Sequence, residues 1–177
     1  MILDSFLQFS SAQSIAAVVS TIVSTNSIDL HMAGIPVLAN NQGARDIGVG
    51  DDPALKILCQ ISTTVTSGGA ATLQVKLQGA TDNGSGVANA FSDWWVSPVY
   101  ALATLVQGAR LFDMDMPRPP AGIAIPRFLQ MSYVIAGATT TAGNISSYIL
   151  GDRMDQPYAS TGNAVMGGYP AGVTVAN

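Results

Sequence analysis

The sequence contains no glutamate and has few charged groups of any kind. Only 10% of its 177 residues are charged, all eleven acidic residues are aspartate, and lysine occurs twice. Globular proteins carry about 25% charged residues. Because Glu and Lys are the usual charged residues of surface helices, we expect no long surface helix. Ser, Thr, Gly, Ala and Val take their place, which favours short strands joined by tight turns.

Groups for acid–base or nucleophilic catalysis are also scarce. The chain has one histidine, His31, and one cysteine, Cys59. Cys59 lies between Ile57 and Ile61 on an apolar face, where a thiol behaves as a small hydrophobic group rather than as a nucleophile paired with His31. A lone cysteine also excludes a disulfide framework. We expect no enzyme and no cofactor, and a hydrolase using His31 or an aspartate pair is the weakest alternative.

The charge balance and the hydrophobic pattern exclude two further classes of partner. The formal net charge is −4, and the seven basic residues are scattered. No positive stripe is available to neutralise several phosphates, so we expect no direct binding of nucleic acid. No apolar run approaches membrane-spanning length, and the N-terminus lacks the pattern of a secretory signal. Together with the single cysteine, these observations predict synthesis in a reducing cytoplasm and no membrane partner.

Aspartates cluster at four places without forming a recognisable metal motif. None of the four has the spacing of a calcium-binding EF-hand loop. Asp82 with Asn83 and Gly84 is typical of a turn, and Asp113 with Asp115 is typical of the solvent face of a strand. We predict no metal site at these clusters, which are Asp51 with Asp52, Asp82 with Asn83, Asp113 with Asp115, and Asp152 with Asp155.

Alternating apolar and polar residues predict an all-β protein. The clearest case is residues 73–78, where Leu73, Val75 and Leu77 alternate with polar residues. Residues 55–65 alternate as well, with Leu58 as an exception on the solvent side, and the Ser67-Gly68-Gly69 turn predicts that the two strands form a hairpin. Further strands are predicted at 14–23 (a helix over 12–23 is the alternative), 28–30, 94–96, 102–106, 111–116, 129–135 and 145–150. This spacing of short strands indicates a jelly-roll-like β-sandwich.

The sequence predicts one sandwich domain with an arm at each end. The N-terminal arm comprises residues 1–13, the sandwich 14–155 and the C-terminal arm 156–177, with an irregular crossing over 31–53. The C-terminal arm contains no charged side chain. Disordered tails usually have high net charge and few aromatic residues, so we expect this arm to lie against a neighbour.

Aromatic and apolar residues in the arms and in one strand are the candidate contact residues. Trp94 and Trp95 are adjacent, so in a regular strand they point to opposite faces and at most one fills the core. Aromatic residues are enriched at protein interfaces, which favours a protein contact over a sugar-stacking platform. The candidate contact residues are Phe6, Phe9, Trp94, Trp95, Tyr158, Met166 and Tyr169.

Five segments have distinctive strand and turn patterns: MILDSFLQFSSAQ at the N-terminus, STNSIDL at 24–30, ARDIGVG at 44–50, ATLQVKLQ at 71–78 and RFLQMSY at 127–133. These segments resemble the cement, or head decoration, proteins of tailed bacteriophages typified by a Bordetella phage. The similarity covers roughly residues 1–150, and its motifs carry no chemical signature.

The resemblance implies a jelly-roll sandwich that binds the outside of an icosahedral capsid and clamps neighbouring subunits of the major capsid protein. On that basis we expect a noncatalytic structural protein on the outer surface of the virion, self-associating as a dimer or trimer. The crossing at 31–43 and the uncharged arm from residue 156 depart from the family pattern. The alternative function is a carbohydrate-binding sandwich on the virion, with Trp94 or Trp95 as the stacking platform.

Overall fold

A computed structural model describes residues 7–30, 55–117 and 126–150, and β-strands make up most of this part of the chain. A short 3₁₀ helix, Leu102–Thr104, is the one named element there that is not a strand. The all-β prediction is confirmed. The strands are β1 (Gln8–Ser14), β2 (Ser20–Val23), β3 (Ile28–Asp29), β4 (Lys56–Ser67), β5 (Thr72–Ala80), β6 (Ser92–Ala101), β7 (Arg110–Asp115), β8 (Phe128–Ala136) and β9 (Thr140–Leu150).

The strands form two antiparallel sheets that enclose one core. Sheet 1 has the order β1-β9-β4-β7, and sheet 2 has the order β2-β8-β5-β6 with β3 also paired to β8. The main hydrophobic cluster takes residues from both sheets, including Ile57 and Ile61 of β4 and Leu73 and Leu77 of β5. Two sheets that share a core in this way form a β-sandwich. The jelly-roll arrangement remains a prediction.

Strict alternation along β5 and β8 supplies the sheet 2 side of the core. Leu73, Val75 and Leu77 are buried, as predicted, and they alternate with half-buried polar residues. In β8, Leu129, Met131, Tyr133 and Ile135 are buried in the same way. Because side chains on a strand alternate between the two faces of the sheet, apolar residues at every second position place one face of each strand in the interior.

The predicted hairpin between residues 55–65 and 73–78 is wrong. β4 pairs with β7 and β9 in sheet 1, whereas β5 pairs with β6 and β8 in sheet 2, so residues 68–71 carry the chain from one sheet to the other. Alternation specifies which side chains face the core, but it carries no information about which strand lies alongside. The turn residues fit a connection between sheets as well as a hairpin.

The predicted strand at 102–106 is also wrong. Its first half forms the 3₁₀ helix, Leu105 is buried in the core, and Leu102 is partly buried against it. The carbonyl oxygen of Leu105 accepts a hydrogen bond from Val65 N–H at 2.9 Å. This apolar segment therefore closes one end of the sandwich rather than adding a strand.

The N-terminal boundary also differs from the prediction. The predicted strand 14–23 is split, because β1 ends at Ser14 and β2 begins at Ser20. Residues 8–13 of the predicted N-terminal arm belong to β1, which pairs with β9 at the edge of sheet 1. Residues 1–6, the predicted crossing at 31–53 and the C-terminal arm 156–177 lie outside the described residues.

Candidate contact surfaces

Both tryptophans pack against the core, which corrects the prediction that at most one of them would. Strand β6 has a β-bulge at the tryptophans, where it pairs with β5. Leu77 pairs with Trp95 and Gln78 pairs with Asp93, so Trp94 is the extra residue of β6. A bulge leaves two residues opposite one on the partner strand and breaks the alternation of faces. Each tryptophan is half-buried against the main hydrophobic cluster.

Trp95 also connects the two sheets at their open edge. Its ring lies 4.8 Å from that of Phe112 in β7, centroid to centroid, with the planes 64° apart. This edge-to-face geometry is favourable for aromatic pairs. β6 and β7 are edge strands of different sheets, so the pair holds the edges of the sandwich together. A partner contact or a sugar-binding role for Trp94 and Trp95 remains a prediction, and the described geometry adds nothing in favour of sugar binding.

The remaining candidate contact residues divide between the core and the chain outside the described ranges. Phe9 is 0% exposed in the main cluster. It is a core residue of β1, so its proposed place on a contact surface of the folded chain is corrected. Apolar character alone could not distinguish an arm from an edge strand. Phe6, Tyr158, Met166 and Tyr169 lie outside the described residues.

The structure reveals a contact surface that the sequence analysis missed, at one end of the sandwich. Four connections between the sheets meet there: residues 15–19, 68–71, 102–109 and 137–139. None of these residues is charged. We call this surface the uncharged end.

Hydrogen bonds fix the connections of the uncharged end to one another or to the adjoining strands. Ala17 N–H donates to Thr140 Oγ1 at 3.0 Å, and Thr140 N–H donates to the carbonyl oxygen of Ala17 at 3.0 Å. Leu102 N–H donates to the carbonyl oxygen of Ala71 at 3.2 Å, which joins the second and third connections. Gln107 N–H donates to Thr64 Oγ1 at 2.9 Å, which fixes the third connection to the end of β4.

Close backbone packing adds to the rigidity of the uncharged end. Gly137 has φ +81°, and a Cβ at this position would overlap the carbonyl oxygen of Ala70. A Cβ at Gly69 would lie 2.9 Å from the Cβ of Ala138. These glycines allow the connections at 68–71 and 137–139 to approach more closely than larger residues permit.

Three valines project from the uncharged end into solvent. Val18 is 67% exposed, Val19 55% and Val106 49%. Isolated exposed apolar residues are common, but several on one surface without charge are typical of a protein contact. The sequence held the relevant signal, an absence of charge from four separate segments. Their meeting at one end depends on the topology.

A charged cluster lies at the opposite end of the sandwich from the uncharged end, where β5 ends and β8 begins. Arg127 is buried; its Nε donates to Asp29 Oδ1 at 2.8 Å and its Nη2 to Asp29 Oδ2 at 3.0 Å. Its Nη1 donates to Asp82 Oδ2, and its guanidinium lies 4.9 Å from the ring centroid of Phe128. The cluster joins β3, β8 and the β5–β6 connection, and each of the three guanidinium nitrogens donates a hydrogen bond to an aspartate.

Asp82 has the turn role that the sequence predicts. Its Oδ1 accepts hydrogen bonds from Gly84 N–H and Gly86 N–H, both at 2.9 Å. Burial acts to raise the pKa of Asp82, but these two hydrogen bonds and the charge of Arg127 outweigh it, so the pKa is below its ordinary value. Asp82 therefore stays ionised and stabilises the loop.

Cys59 and Asp115 also have structural positions. Cys59 is fully buried, as predicted, and burial raises the pKa of its thiol. Asp115 pairs with Lys56 on the solvent face of β7, at 2.7 Å. Within residues 7–30, 55–117 and 126–150, no three His, Cys, Asp or Glu side chains come together to hold a metal ion. His31 lies outside these ranges.

These features define a class of protein: a β-sandwich whose most distinctive described surface is uncharged and suited to a protein contact. The sequence model of the Bbp16 family matches residues 9–149, which run from β1 to β9. The chain belongs to this family. Bbp16 is a Bordetella phage protein family, and membership indicates a bacteriophage structural protein and a component of the virion.

A search of the curated proteins found no match. In the described ranges, no helix has the length and apolar character needed to cross a membrane.

Proposed function

We propose that this protein is a capsid cement, or decoration, protein that binds the outer surface of a phage head and stabilises contacts between major capsid protein subunits. The uncharged end is the observation that carries the proposal. Val18, Val19 and Val106 would be covered by the shell, and their burial would contribute roughly 25 cal/mol per Å² of apolar area removed from water.

The rigidity of the uncharged end supports this role. A surface whose connections are already fixed by hydrogen bonds and close glycine packing loses little conformational entropy on binding. The lack of charge in these segments also means that no ionic group must be desolvated at the contact. Binding of this kind suits attachment at many equivalent sites on a shell.

The proposed mechanism is thermodynamic linkage. A protein that binds the assembled shell and not the separated subunits stabilises the shell by its binding free energy. Contributions from many copies on one capsid add. Self-association as a dimer or trimer, with Tyr158, Met166 and Tyr169 contacting a neighbour, is part of the same proposal.

The test adds a charge to the proposed contact surface. Val18→Asp and Val106→Asp each place a carboxylate on the uncharged end, and Val87→Asp is the matched control. Val87 is 58% exposed in the connection between β5 and β6, at the opposite end of the sandwich. We expect purified shells to lose most of the Val18→Asp and Val106→Asp proteins in sedimentation assays and to retain Val87→Asp. Equal occupancy by all three variants would reject the uncharged end as the attachment surface.

A second measurement tests stabilisation rather than attachment. Shells with and without the bound protein are heated, and the temperature of rupture is recorded. We expect decorated shells to rupture at a higher temperature, and shells mixed with Val106→Asp to rupture as undecorated shells do. Equal rupture temperatures for decorated and bare shells would contradict the cement function even if the protein binds.

A further inference from the structure

The connection between β5 and β6 contains the one Asn-Gly pair in the sequence, Asn83–Gly84. Asparagine is one of the thermolabile residues of proteins. A glycine that follows it has no side chain, so its backbone nitrogen is not sterically hindered. Asn83 and Gly84 are both exposed, and water therefore reaches the pair. These properties are typical of a site of spontaneous deamidation.

Deamidation at such a pair proceeds through a cyclic imide. The Gly84 backbone nitrogen loses its proton and attacks Cγ of Asn83, so that an N–Cγ bond forms. The bond from Cγ to Nδ2 then breaks, and the side-chain nitrogen takes up the proton and leaves as ammonia. Water opens the succinimide at either carbonyl and leaves aspartate or isoaspartate at position 83. The reaction therefore requires loss of the Gly84 N–H proton and space for Cγ where that hydrogen lies.

In the structure, the carboxylate of Asp82 opposes both requirements. Gly84 N–H donates to Asp82 Oδ1 at 2.9 Å, so this oxygen lies where Cγ of Asn83 must bond. Two further contacts hold Asp82 in place: Gly86 N–H donates to the same oxygen at 2.9 Å, and Arg127 Nη1 donates to Oδ2. The charge of the carboxylate also opposes loss of the Gly84 proton, because a second anion would form beside it.

The side chain of Asn83 has a separate contact, which does not protect it. Its Oδ1 accepts a hydrogen bond from Ser85 N–H at 2.8 Å. A donor on this oxygen stabilises the negative charge that develops there during attack on Cγ. The backbone of the pair is fixed as well, because Asn83 N–H donates to the carbonyl oxygen of Val87 at 2.9 Å. Within this loop, Asp82 is therefore the group that opposes the reaction.

We propose that Asn83 is a latent deamidation site and that Asp82 preserves its side-chain amide by holding the Gly84 N–H. This gives Asp82 a chemical task in addition to its place in the turn and its contact with Arg127. Loss of the protection would add a second carboxylate beside Asp82, and isoaspartate would also lengthen the loop backbone by one methylene. The proposal goes beyond the proposed capsid function and does not depend on it, because it concerns the chemistry of the isolated chain.

The test follows deamidation in the full-length protein at a mildly alkaline pH. Trypsin cleavage after Lys76 and Arg110 releases residues 77–110, in which mass spectrometry distinguishes Asn83 from Asn89. Asp82→Ala removes the acceptor, and we expect position 83 to deamidate at least tenfold faster than in the unsubstituted native protein. Asn89 is the internal reference and should keep its rate. The unsubstituted protein unfolded in guanidinium gives the unprotected rate at position 83.

Asp82→Asn is a second, more conservative variant. It keeps a side-chain oxygen that can accept the Gly84 N–H but removes the charge, so it should raise the rate by less than Asp82→Ala does. Amide exchange in β5 and β8 reports whether each variant remains folded. Unchanged rates at position 83 in both Asp82 variants would overturn the proposal. Deamidation of the native unsubstituted protein as fast as that of the unfolded chain would also overturn it.

Asp29→Asn is the matched control. Asp29 accepts hydrogen bonds from the same guanidinium, that of Arg127, through Nε and Nη2. The substitution weakens the charged cluster, but the hydrogen bonds from Gly84 and Gly86 to Asp82 remain. We expect position 83 to deamidate at the unsubstituted rate in this variant. If Asp29→Asn accelerates the reaction as much as Asp82→Ala does, the protection comes from the rigidity of the cluster and the proposal is wrong.

Discussion

The hydroxyl of Tyr133 in sheet 2 lies 2.6 Å from the hydroxyl of Ser147 in sheet 1, at the centre of the sandwich. The same tyrosine hydroxyl lies 2.7 Å from Ser10 Oγ, and Ser10 in turn donates to Gln13 Oε1 at 2.6 Å. Tyr133, Ser10 and Ser147 are fully buried. This chain of hydrogen bonds is a polar connection between β8 and the β1–β9 pair in the interior of the sandwich.

Removal of the Tyr133 hydroxyl tests this connection. Tyr133→Phe leaves two buried serine hydroxyls with fewer partners, and an unsatisfied buried polar group costs about 1–3 kcal/mol. We expect the free energy of unfolding in urea to fall by that amount. The control is Tyr148→Phe, because no hydrogen bond is described for the Tyr148 hydroxyl, and it should change stability by less than about 0.5 kcal/mol. Equal losses in the two variants would show that the hydrogen bonds to Tyr133 contribute nothing specific.

Two glycines with nearly the same backbone conformation separate the effects of strain and close packing. Gly137 has φ +81° and Gly108 has φ +83°, but a Cβ would overlap the carbonyl oxygen of Ala70 only at position 137. A Cβ at Gly108 would have no atom within 4 Å apart from the glycine itself and its chain neighbours. The left-handed conformation costs a non-glycine residue about 1–2 kcal/mol. We expect Gly108→Ala to lower the free energy of unfolding by about that amount, and Gly137→Ala to lower it further.

The same pair of variants tests how the uncharged end is held together. In Gly137→Ala the connections at 68–71 and 137–139 must move apart, so amide exchange at Ala71 and Thr140 should accelerate. Indistinguishable unfolding curves for the two variants would mean that the contact with Ala70 does not restrain this surface.

The thiol of Cys59 should be inert in the native protein. It is fully buried, and burial raises the pKa of the thiol, so the reactive thiolate is not available. We expect no reaction of native protein with a thiol-specific disulfide reagent over a period in which the protein in 6 M guanidinium, a strongly denaturing condition, reacts completely. A fast native reaction would place Cys59 at an accessible site and reopen a chemical role for it.

Acid should destabilise the fold through two aspartates. Hydrogen bonds from Lys76 and Gln78 lower the pKa of Asp93 and outweigh its partial burial, and the pKa of Asp82 is also below its ordinary value. Carboxyl groups whose pKa is lower in the folded state stabilise that state at neutral pH. This stabilisation should disappear as the pH falls below about 4, the ordinary pKa of an aspartate, towards the folded-state values.

Thermal unfolding between pH 7 and pH 2.5 measures this effect. Asp93→Asn and Asp82→Asn should each reduce the dependence of the unfolding temperature on pH in the acid range, because each removes one of the titrating groups. A variant that loses stability equally at every pH would show that its carboxyl acts through neutral contacts rather than through ionisation.

Strand periodicity made the core predictable, with Leu73, Val75, Leu77, Met131 and Tyr133 as its clearest members. The sequence also indicated that Cys59 is a core residue and that Asp82 forms a turn, because both depend on residues within a few positions. It misplaced Phe9, since an apolar residue near a terminus looks the same in an arm and in an edge strand.

The candidate contact surface could not be predicted in the same way. The bulge that turns Trp94 and Trp95 towards the same core depends on how β6 pairs with β5. The uncharged end depends on connections that are as far apart in the sequence as Val18 and Thr139. Neither relationship leaves a local pattern.

The sequence by itself determined the all-β class, the face that most strands present to the core and the low charge of the connections. These follow from side-chain period and composition, which act over a few neighbouring residues. Only the tertiary structure decided that β4 and β5 lie in different sheets, that Tyr133 bridges the sandwich and that Val18, Val19 and Val106 lie at the same end of it. Strand partners are chosen by packing between distant segments, and the period of two is the same whichever partner is chosen.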